Sequence, residues 1–260
     1  MNAEMNYRSS PLYSLMPNEY FQFKQFRILQ EHSGLKVTTD ACAFGAWVAN
    51  IIQMMDQEPK RILDIGSGTG ILSLMLAQIT EKSLITAVEI NEEGCDEANN
   101  NFKNSPWSDR LNCHQSPIQN FGSNHPFDLI ICNPPFFSDS QKGKLAAKNL
   151  ALHDQQLPMD ELIESIHQLL AKNGTCYMLY PEREMNAFTS QAAKSGLHTH
   201  QYVYLKNELN QPIFRVMRRF GFEREEVTAT ELIIRERSGK YTANFWELMQ
   251  DFYLDYNNPG

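Results

Sequence analysis

RILDIGSGTGILSLMLAQI, residues 61–79, decides the fold. It opens as a short apolar strand (61–65), passes through a turn with glycines at 66, 68 and 70, and leaves as a helix (71–79). A strand that runs through a glycine turn into a helix is the opening unit of an α/β sheet. The alternation continues outward from it. LITAVEI (84–90) reads as the next strand, followed by a polar, Asn-rich helix at 91–103 and a short strand at 110–114. FDLIIC (127–132) is an apolar strand that stops at Asn133-Pro134-Pro135, because consecutive prolines cannot continue a ladder. A helix from Pro158 to Ala171 ends at Asn173-Gly174, and TCYMLY (175–180) is another strand. A helix at 182–195 then leads to strands near 200–206, 212–220 and 227–235, and Tyr241–Tyr256 closes the chain as an aromatic-rich amphipathic helix. Upstream, ACAFGAWVANIIQMM (41–55) has helical spacing, while the first 20 residues read as a weakly ordered arm. Strands alternating with helices predict a doubly wound, mainly parallel α/β sheet, and the late cluster of strands predicts an antiparallel edge.

Composition narrows the class. With 260 residues, 42% of them hydrophobic and 21% charged, the chain is ordinary for one large globular domain. No apolar run approaches the roughly 18 residues of a membrane span, and no basic region followed by an apolar stretch opens the chain. Membrane residence and secretion are therefore not expected. Five scattered cysteines without a CxxC pair read as reduced thiols of a cytoplasmic protein, not as a disulfide frame or a metal site. The net charge of −8 argues against non-specific binding to long nucleic acid. Its distribution is uneven: residues 81–101 hold six acids against one Lys, whereas 141–150 hold Lys142, Lys144 and Lys148 and no acid. Arg215, Arg218 and Arg219 form a second basic cluster.

Three constellations carry chemistry. The first is Asp64-Ile65-Gly66-Ser67-Gly68-Thr69-Gly70, at a strand end and a helix start. Glycines there let the backbone approach a ligand, and the helix start offers free N–H groups. A dinucleotide fingerprint needs a different third spacing, since position 71 is Ile and glycine stands at 70. Asp64 would repel a pyrophosphate but suits a cationic ligand such as S-adenosylmethionine, with its ammonium and sulfonium; NAD is disfavoured. The second is Glu89, at the end of the next strand, where an acid accepts both hydroxyls of an adenosine ribose. The third is Asn133-Pro134-Pro135-Phe136, at the carboxyl end of a strand, the edge where such sheets bind ligands. A planar conjugated amine is a poor nucleophile because its lone pair is delocalised. The Asn133 side-chain oxygen and the Pro134 carbonyl can hold its two hydrogens and favour a pyramidal nitrogen. The prolines fix the carbonyl's direction, and Phe136 can stack on a flat base.

DIGSGTG, Glu89 and NPPF together resemble the class I S-adenosylmethionine-dependent methyltransferases that act on amines. FQFKQFRILQEHSGLKVTTDACAFGAW (21–47), NPPFF (133–137) and YTANFWELMQDFYL (241–254) look like the bacterial enzymes that methylate N6 of adenosine 37 in a valine tRNA. The resemblance runs from about residue 20 to residue 256 and implies a seven-stranded, Rossmann-like methyltransferase domain over 41–260 behind an N-terminal extension, 1–40. It implies S-adenosyl-L-methionine as cofactor, the anticodon loop of a valine tRNA as partner, and no metal. On this reading Asn133, Pro134, Pro135 and Phe136 clamp the target adenine. Thr39 and Asp40, from the K-x-x-T-D segment, join Asp64, Gly66, Gly68, Gly70, Glu89, Ser116 and Asn133 around the cofactor. Many members carry Asp where Ser116 stands, so the contact to the cofactor's adenine amine departs from the pattern. Amines in rRNA, DNA or a protein glutamine are alternative substrates that NPPF does not separate. A non-catalytic cofactor- or RNA-binding module is a further alternative, although a binder needs no amine clamp.

The remaining features have ordinary readings. His198-x-His200 is expected as a surface pair, since no third ligand stands nearby. Trp47, Trp107 and Trp246 are expected to pack in the core. Tyr20-Phe21-Gln22-Phe23 is expected to be buried, with stacking on RNA as the alternative. For the lysines at 142–148 and the arginines at 215–219, phosphate contact and plain solvation stay open.

Overall fold

The computed structural model describes residues 19–31, 36–134 and 157–254. Two short strands, β1 (Tyr20–Gln22) and β2 (Arg27–Leu29), form an antiparallel hairpin ahead of α1 (Thr39–Gln53). Then follow β3 (Arg61–Ile65), α2 (Ile71–Ile79), β4 (Leu84–Glu89), α3 (Glu92–Lys103), β5 (Leu111–Gln115) and β6 (Phe127–Cys132). The second half holds α4 (Met159–Leu169), β7 (Leu170–Tyr180), α5 (Glu182–Lys194), β8 (His198–Lys206), β9 (Ile213–Gly221), β10 (Thr228–Ile233) and α6 (Ala243–Met249).

The large sheet runs β10-β8-β9-β7-β6-β3-β4-β5. All neighbouring pairs are parallel except β7–β9 and β9–β8, so β9 is the one reversed strand of this sheet among the described residues. The doubly wound sheet is as expected, with two refinements: β10 is an eighth strand, and the reversed strand is set inside the sheet, not at its edge. Alternate residues feed two cores. Ile62, Ile85, Leu129 and Ile131 face a layer of α1, α2, α3 and α6, while Leu63, Val88, Ile130 and Cys132 face α4 and α5. Strands buried on both faces have to be apolar throughout, which is why RILDI and FDLIIC are continuous runs. The chain leaves β3 for β4 on one side and returns to β6 on the other. The carboxyl ends of β3 and β6 therefore flank a switch point, the crevice where open α/β sheets take ligands.

Three elements differ from expectation for physical reasons. The hairpin β1–β2 has no local sequence signal; Phe23 is fully buried, stacked on Phe26 with centroids 4.5 Å apart and packed near Tyr253 from the far end of the chain. β7 begins at Leu170 because residues between its first and later pairings bulge from the ladder; Phe127 pairs with Leu170 but Leu129 pairs with Thr175. The last helix is confined to Ala243–Met249, capped by Thr242, whose hydroxyl accepts from Phe245 N–H at 3.2 Å. Trp47 is buried and Trp107 and Trp246 pack against the core.

Candidate active site

Consider first the turn after β3. Gly66, Gly68 and Gly70 have φ of 70°, 51° and 78°, the left-handed region that side chains resist. A Cβ at Gly66 or Gly68 would meet nothing within 4 Å, so these two glycines border open space and are required by backbone conformation. Gly70 is also hemmed in, since a Cβ there would lie 2.4 Å from Phe102. The turn hangs on β4: the Gly66 N–H donates to the Val88 carbonyl at 2.8 Å, and Gly68 N–H donates to Glu89 Oε2 at 2.9 Å. Glu89 Oε1 accepts from the Asn91 N–H at 3.0 Å. Glu89 thus braces the glycine turn while its half-buried carboxylate keeps further lone pairs at the ligand edge.

Asp64 lies on the face covered by α2 and is fully buried. Its Oδ2 accepts from Ser73 N–H at 3.1 Å and Ser73 Oγ–H at 2.7 Å, whereas Oδ1 is buried with no hydrogen-bond partner among the described residues. Burial pushes the Asp64 carboxyl up to about 7 despite the two Ser73 hydrogen bonds. A buried carboxylate with one uncommitted oxygen is what a cationic ligand would stabilise, so the donor set of this turn fits the ammonium-bearing S-adenosylmethionine.

The turns after β4, β5 and β6 reach the same edge. Ser116 follows β5; its N–H donates to the Glu89 carbonyl at 3.0 Å and its hydroxyl to the Pro117 carbonyl at 2.8 Å. The hydroxyl oxygen retains acceptor capacity. Asn133 follows β6, whose Cys132 is level with Ile65 of β3. Its Oδ1 is buried and has no hydrogen-bond partner among the described residues, and Pro134 beside it is buried. Pro135 and Phe136, like Lys142, Lys144 and Lys148, lie outside the described residues.

Thr39 opens α1 beside its cap Thr38, whose hydroxyl accepts from Ala41 N–H at 3.4 Å. Asp40 is held by Arg215 of β9, with Nε donating to Oδ2 at 2.9 Å. The expected basic cluster splits. Arg218 is buried, donating to Thr189 Oγ1 at 2.6 Å and lying 4.8 Å from the centroid of the Tyr202 ring. Arg219 stands 3.5 Å from Glu225. His198 and His200 are not a surface pair: His200 is buried, its Nε2 2.8 Å from the Glu223 carbonyl and its Nδ1 3.3 Å from Glu225. The register between β8 and β9 slips between Thr199 and Gln201, and that bulge turns His200 inward under Gly221.

Sequence reasoning missed two supporting residues. Ser73, on α2, orients Asp64. Asn101, fully buried on α3, donates to the carbonyls of Leu29 (3.0 Å) and Thr69 (2.9 Å) and accepts from Leu29 N–H (2.8 Å), tying the N-terminal hairpin to the glycine turn. A polar side chain on the buried face of α3 was the available signal. Among the described residues no group of His, Cys, Asp and Glu could hold a metal ion, and no helix is long and apolar enough to cross a membrane.

The glycine cradle braced by an acid, beside an Asn-Pro at a switch point, lies within a chain that has relatives among known proteins. Residues 48–186 match the family described as methyltransferase small domain. The chain belongs to this methyltransferase family. The tRNA1(Val) (adenine(37)-N6)-methyltransferase of Cytophaga hutchinsonii is 39% identical over 243 residues, covering 92% of this chain and 100% of that one. The protein of the same name from Vibrio campbellii is 36% identical over 234 residues, covering 90% and 95%. In solved structures the methyltransferase fold recurs in a predicted O-methyltransferase from Agrobacterium tumefaciens, with a TM-score of 0.61 at 17% identity over 82% of this chain and 96% of that one.

Proposed function

We propose that this methyltransferase moves a methyl group from S-adenosyl-L-methionine to the N6 amine of adenosine 37 in the anticodon loop of a valine tRNA, in the cytoplasm. The chemistry rests on one observation above all, the buried Asn133 Oδ1 at the end of β6, which has no partner among the described residues. An acceptor buried and uncommitted is costly unless a ligand donor completes it. The exocyclic amine of adenine is such a donor. The substrate reading rests on relatives of that name, matched over nearly their full length.

When bound, S-adenosylmethionine supplies an electrophilic methyl on a sulfonium. The chain's own part is positioning and charge. Asp64 would face the ligand's ammonium, Glu89 its ribose hydroxyls and Ser116 its adenine amine, and the turn through Gly66, Gly68 and Gly70 would admit the methionine portion. Thr39 and Asp40 would add contacts to the cofactor, with Arg215 fixing the Asp40 carboxylate. Asn133 Oδ1 and the Pro134 carbonyl would accept the two amine hydrogens, with Pro135 to fix the carbonyl's direction and Phe136 to stack on the extruded base. No base is needed before attack, because the amine's proton is acidic enough to leave once the nitrogen is alkylated. An unpaired loop base is also the cheapest to swing out of its stack.

The test is transfer of labelled methyl into total tRNA from a strain lacking this protein, followed by nucleoside analysis. N6-methyladenosine confined to a valine tRNA is expected. Label in rRNA, DNA or protein alone would move the substrate, and cofactor binding without any label would reduce the chain to a binding module.

A further inference from the structure

We infer that the hairpin after β10, residues 234–242, holds the phosphate backbone of the RNA substrate to one side of the target base. This rests on the tRNA reading above and adds the course the RNA takes. β10 runs parallel to β8 with Ile233 level with Lys206, and Lys206 is level with Ile213 at the start of β9. Val216 of β9 is level with Tyr180 at the end of β7, and Met178 with Cys132 at the end of β6. The hairpin therefore leaves the sheet at the ligand edge. It stands four strands from β6, a distance of about 19 Å at the usual strand spacing. Ile213 lies three residues beyond the level of Tyr180, so the base of the hairpin is raised about 10 Å above that end of β7. It forms a wall beside the floor that carries Asn133.

The wall is basic and tied down. Its sequence, IRERSGKYT, sets Arg235, Arg237 and Lys240 against the single acid Glu236, in a chain whose net charge is −8. All four are exposed. Arg235 bridges to Tyr241 across the turn, Glu236 N–H donates to the Lys240 carbonyl, and Gly239 N–H donates to the Glu236 carbonyl, both at 2.9 Å. The Arg235 guanidinium lies over the Tyr241 ring, 4.3 Å from its centroid, and its Nη1 donates to the Gly239 carbonyl at 2.6 Å. Phe245 and Tyr253 back that ring, with centroids 4.8 Å and 6.1 Å away. A guanidinium already seated on a fixed ring can give its remaining N–H groups to a phosphate with little further loss of side-chain freedom. Cations on the neighbouring strands are matched by acids: Lys206 by Glu231 at 2.8 Å, Arg215 by Asp40 at 2.9 Å and Arg219 by Glu225 at 3.5 Å.

The opposite flank of the site carries the opposite charge. Glu92 and Glu93 open α3 just past the end of β4, with Asp96 a turn further on, and all three are exposed. Phosphates are thus drawn across β7 to β10 and repelled from β4. At roughly 3.4 Å per nucleotide of stacked strand, the span from Asn133 to the hairpin is about five or six nucleotides. The contact falls beyond the immediate neighbours of the target adenosine. It positions the backbone and reads no base.

The test is steady-state methylation by the full chain on two RNAs, a valine tRNA transcript and a heptanucleotide with the target adenosine at its centre, too short to reach the hairpin. Arg237→Glu should raise KM for the tRNA about tenfold, leave kcat and S-adenosylmethionine affinity within about twofold, and lower the slope of log KM against log salt by roughly one. On the heptanucleotide it should match the unaltered protein. Lys172→Glu makes the same change of charge on an exposed residue at the far edge of the sheet, and should leave KM for the tRNA within about twofold. An unchanged KM in Arg237→Glu, equal losses in Arg237→Glu and Lys172→Glu, or equal losses on both RNAs would each overturn the inference and leave the methylation reading standing. Absence of methyl transfer to any tRNA by the unaltered protein would overturn that reading, and the inference with it.

Discussion

The two sides of the ligand edge are built differently. On the side of the glycine turn the protein satisfies itself: Glu89 is bonded to Gly68 and Asn91, the turn to Val88, and Asn101 to Thr69. On the other side, Asn133 leaves a buried oxygen without a partner among the described residues. The first side is complete in itself. The second keeps an acceptor in reserve. Asp64 sits between the two styles, with one oxygen bonded to Ser73 and the other open.

On this contrast, Asn133→Ala is the most damaging change to turnover. By analogy with removal of a single preorganised polar contact, kcat should fall about a hundred- to a thousandfold, while cofactor affinity in equilibrium dialysis moves little. Loss of affinity with turnover preserved would reverse the assignment. Asp64 sharpens the comparison through pH. Its folded-state pKa, about 7, lies above the ordinary carboxylate value, so the folded protein holds a proton that the unfolded chain has released. Stability of the ligand-free protein should then fall as pH rises from about 4 to about 7, by a few kcal/mol, and Asp64→Asn should flatten that slope in thermal melts. Cofactor affinity should rise over the upper part of the same window, because the ionised form is the one that holds an ammonium.

A smaller effect is expected at Gly70→Ala, where a positive φ and the Phe102 ring combine to cost about 2 kcal/mol of stability by denaturant titration. The least severe change is Glu89→Gln, which keeps one carbonyl oxygen for the backbone amides. It should weaken cofactor binding about tenfold with little change in melting temperature. A large fall in melting temperature instead would make Glu89 chiefly a brace for the turn.

Legibility in the sequence follows the same division. RILDI and FDLIIC were readable to the residue because glycine and proline punctuate apolar runs. That Glu89, the glycines and Asn133 lie along one edge was readable because strand ends in a doubly wound sheet share that edge. What stayed hidden depends on partners far away in the chain. The β1–β2 hairpin is fixed by Phe23 against Tyr253, Asp40 is held by Arg215, and His200 turns inward at a bulge that β9 imposes. No window of neighbouring residues contains those facts.

The reversed direction of β9 has a consequence for how such a protein can change. Because β9 starts where β7 ends, Val216 being level with Tyr180, the connection at 207–212 emerges on the ligand edge. It is largely exposed and presents Leu209 to solvent. A lengthened or exchanged turn there would alter what meets an incoming RNA without disturbing a single strand or the glycine cradle. The 207–212 turn and the glycine cradle are in this sense separable modules, open to exchange one at a time.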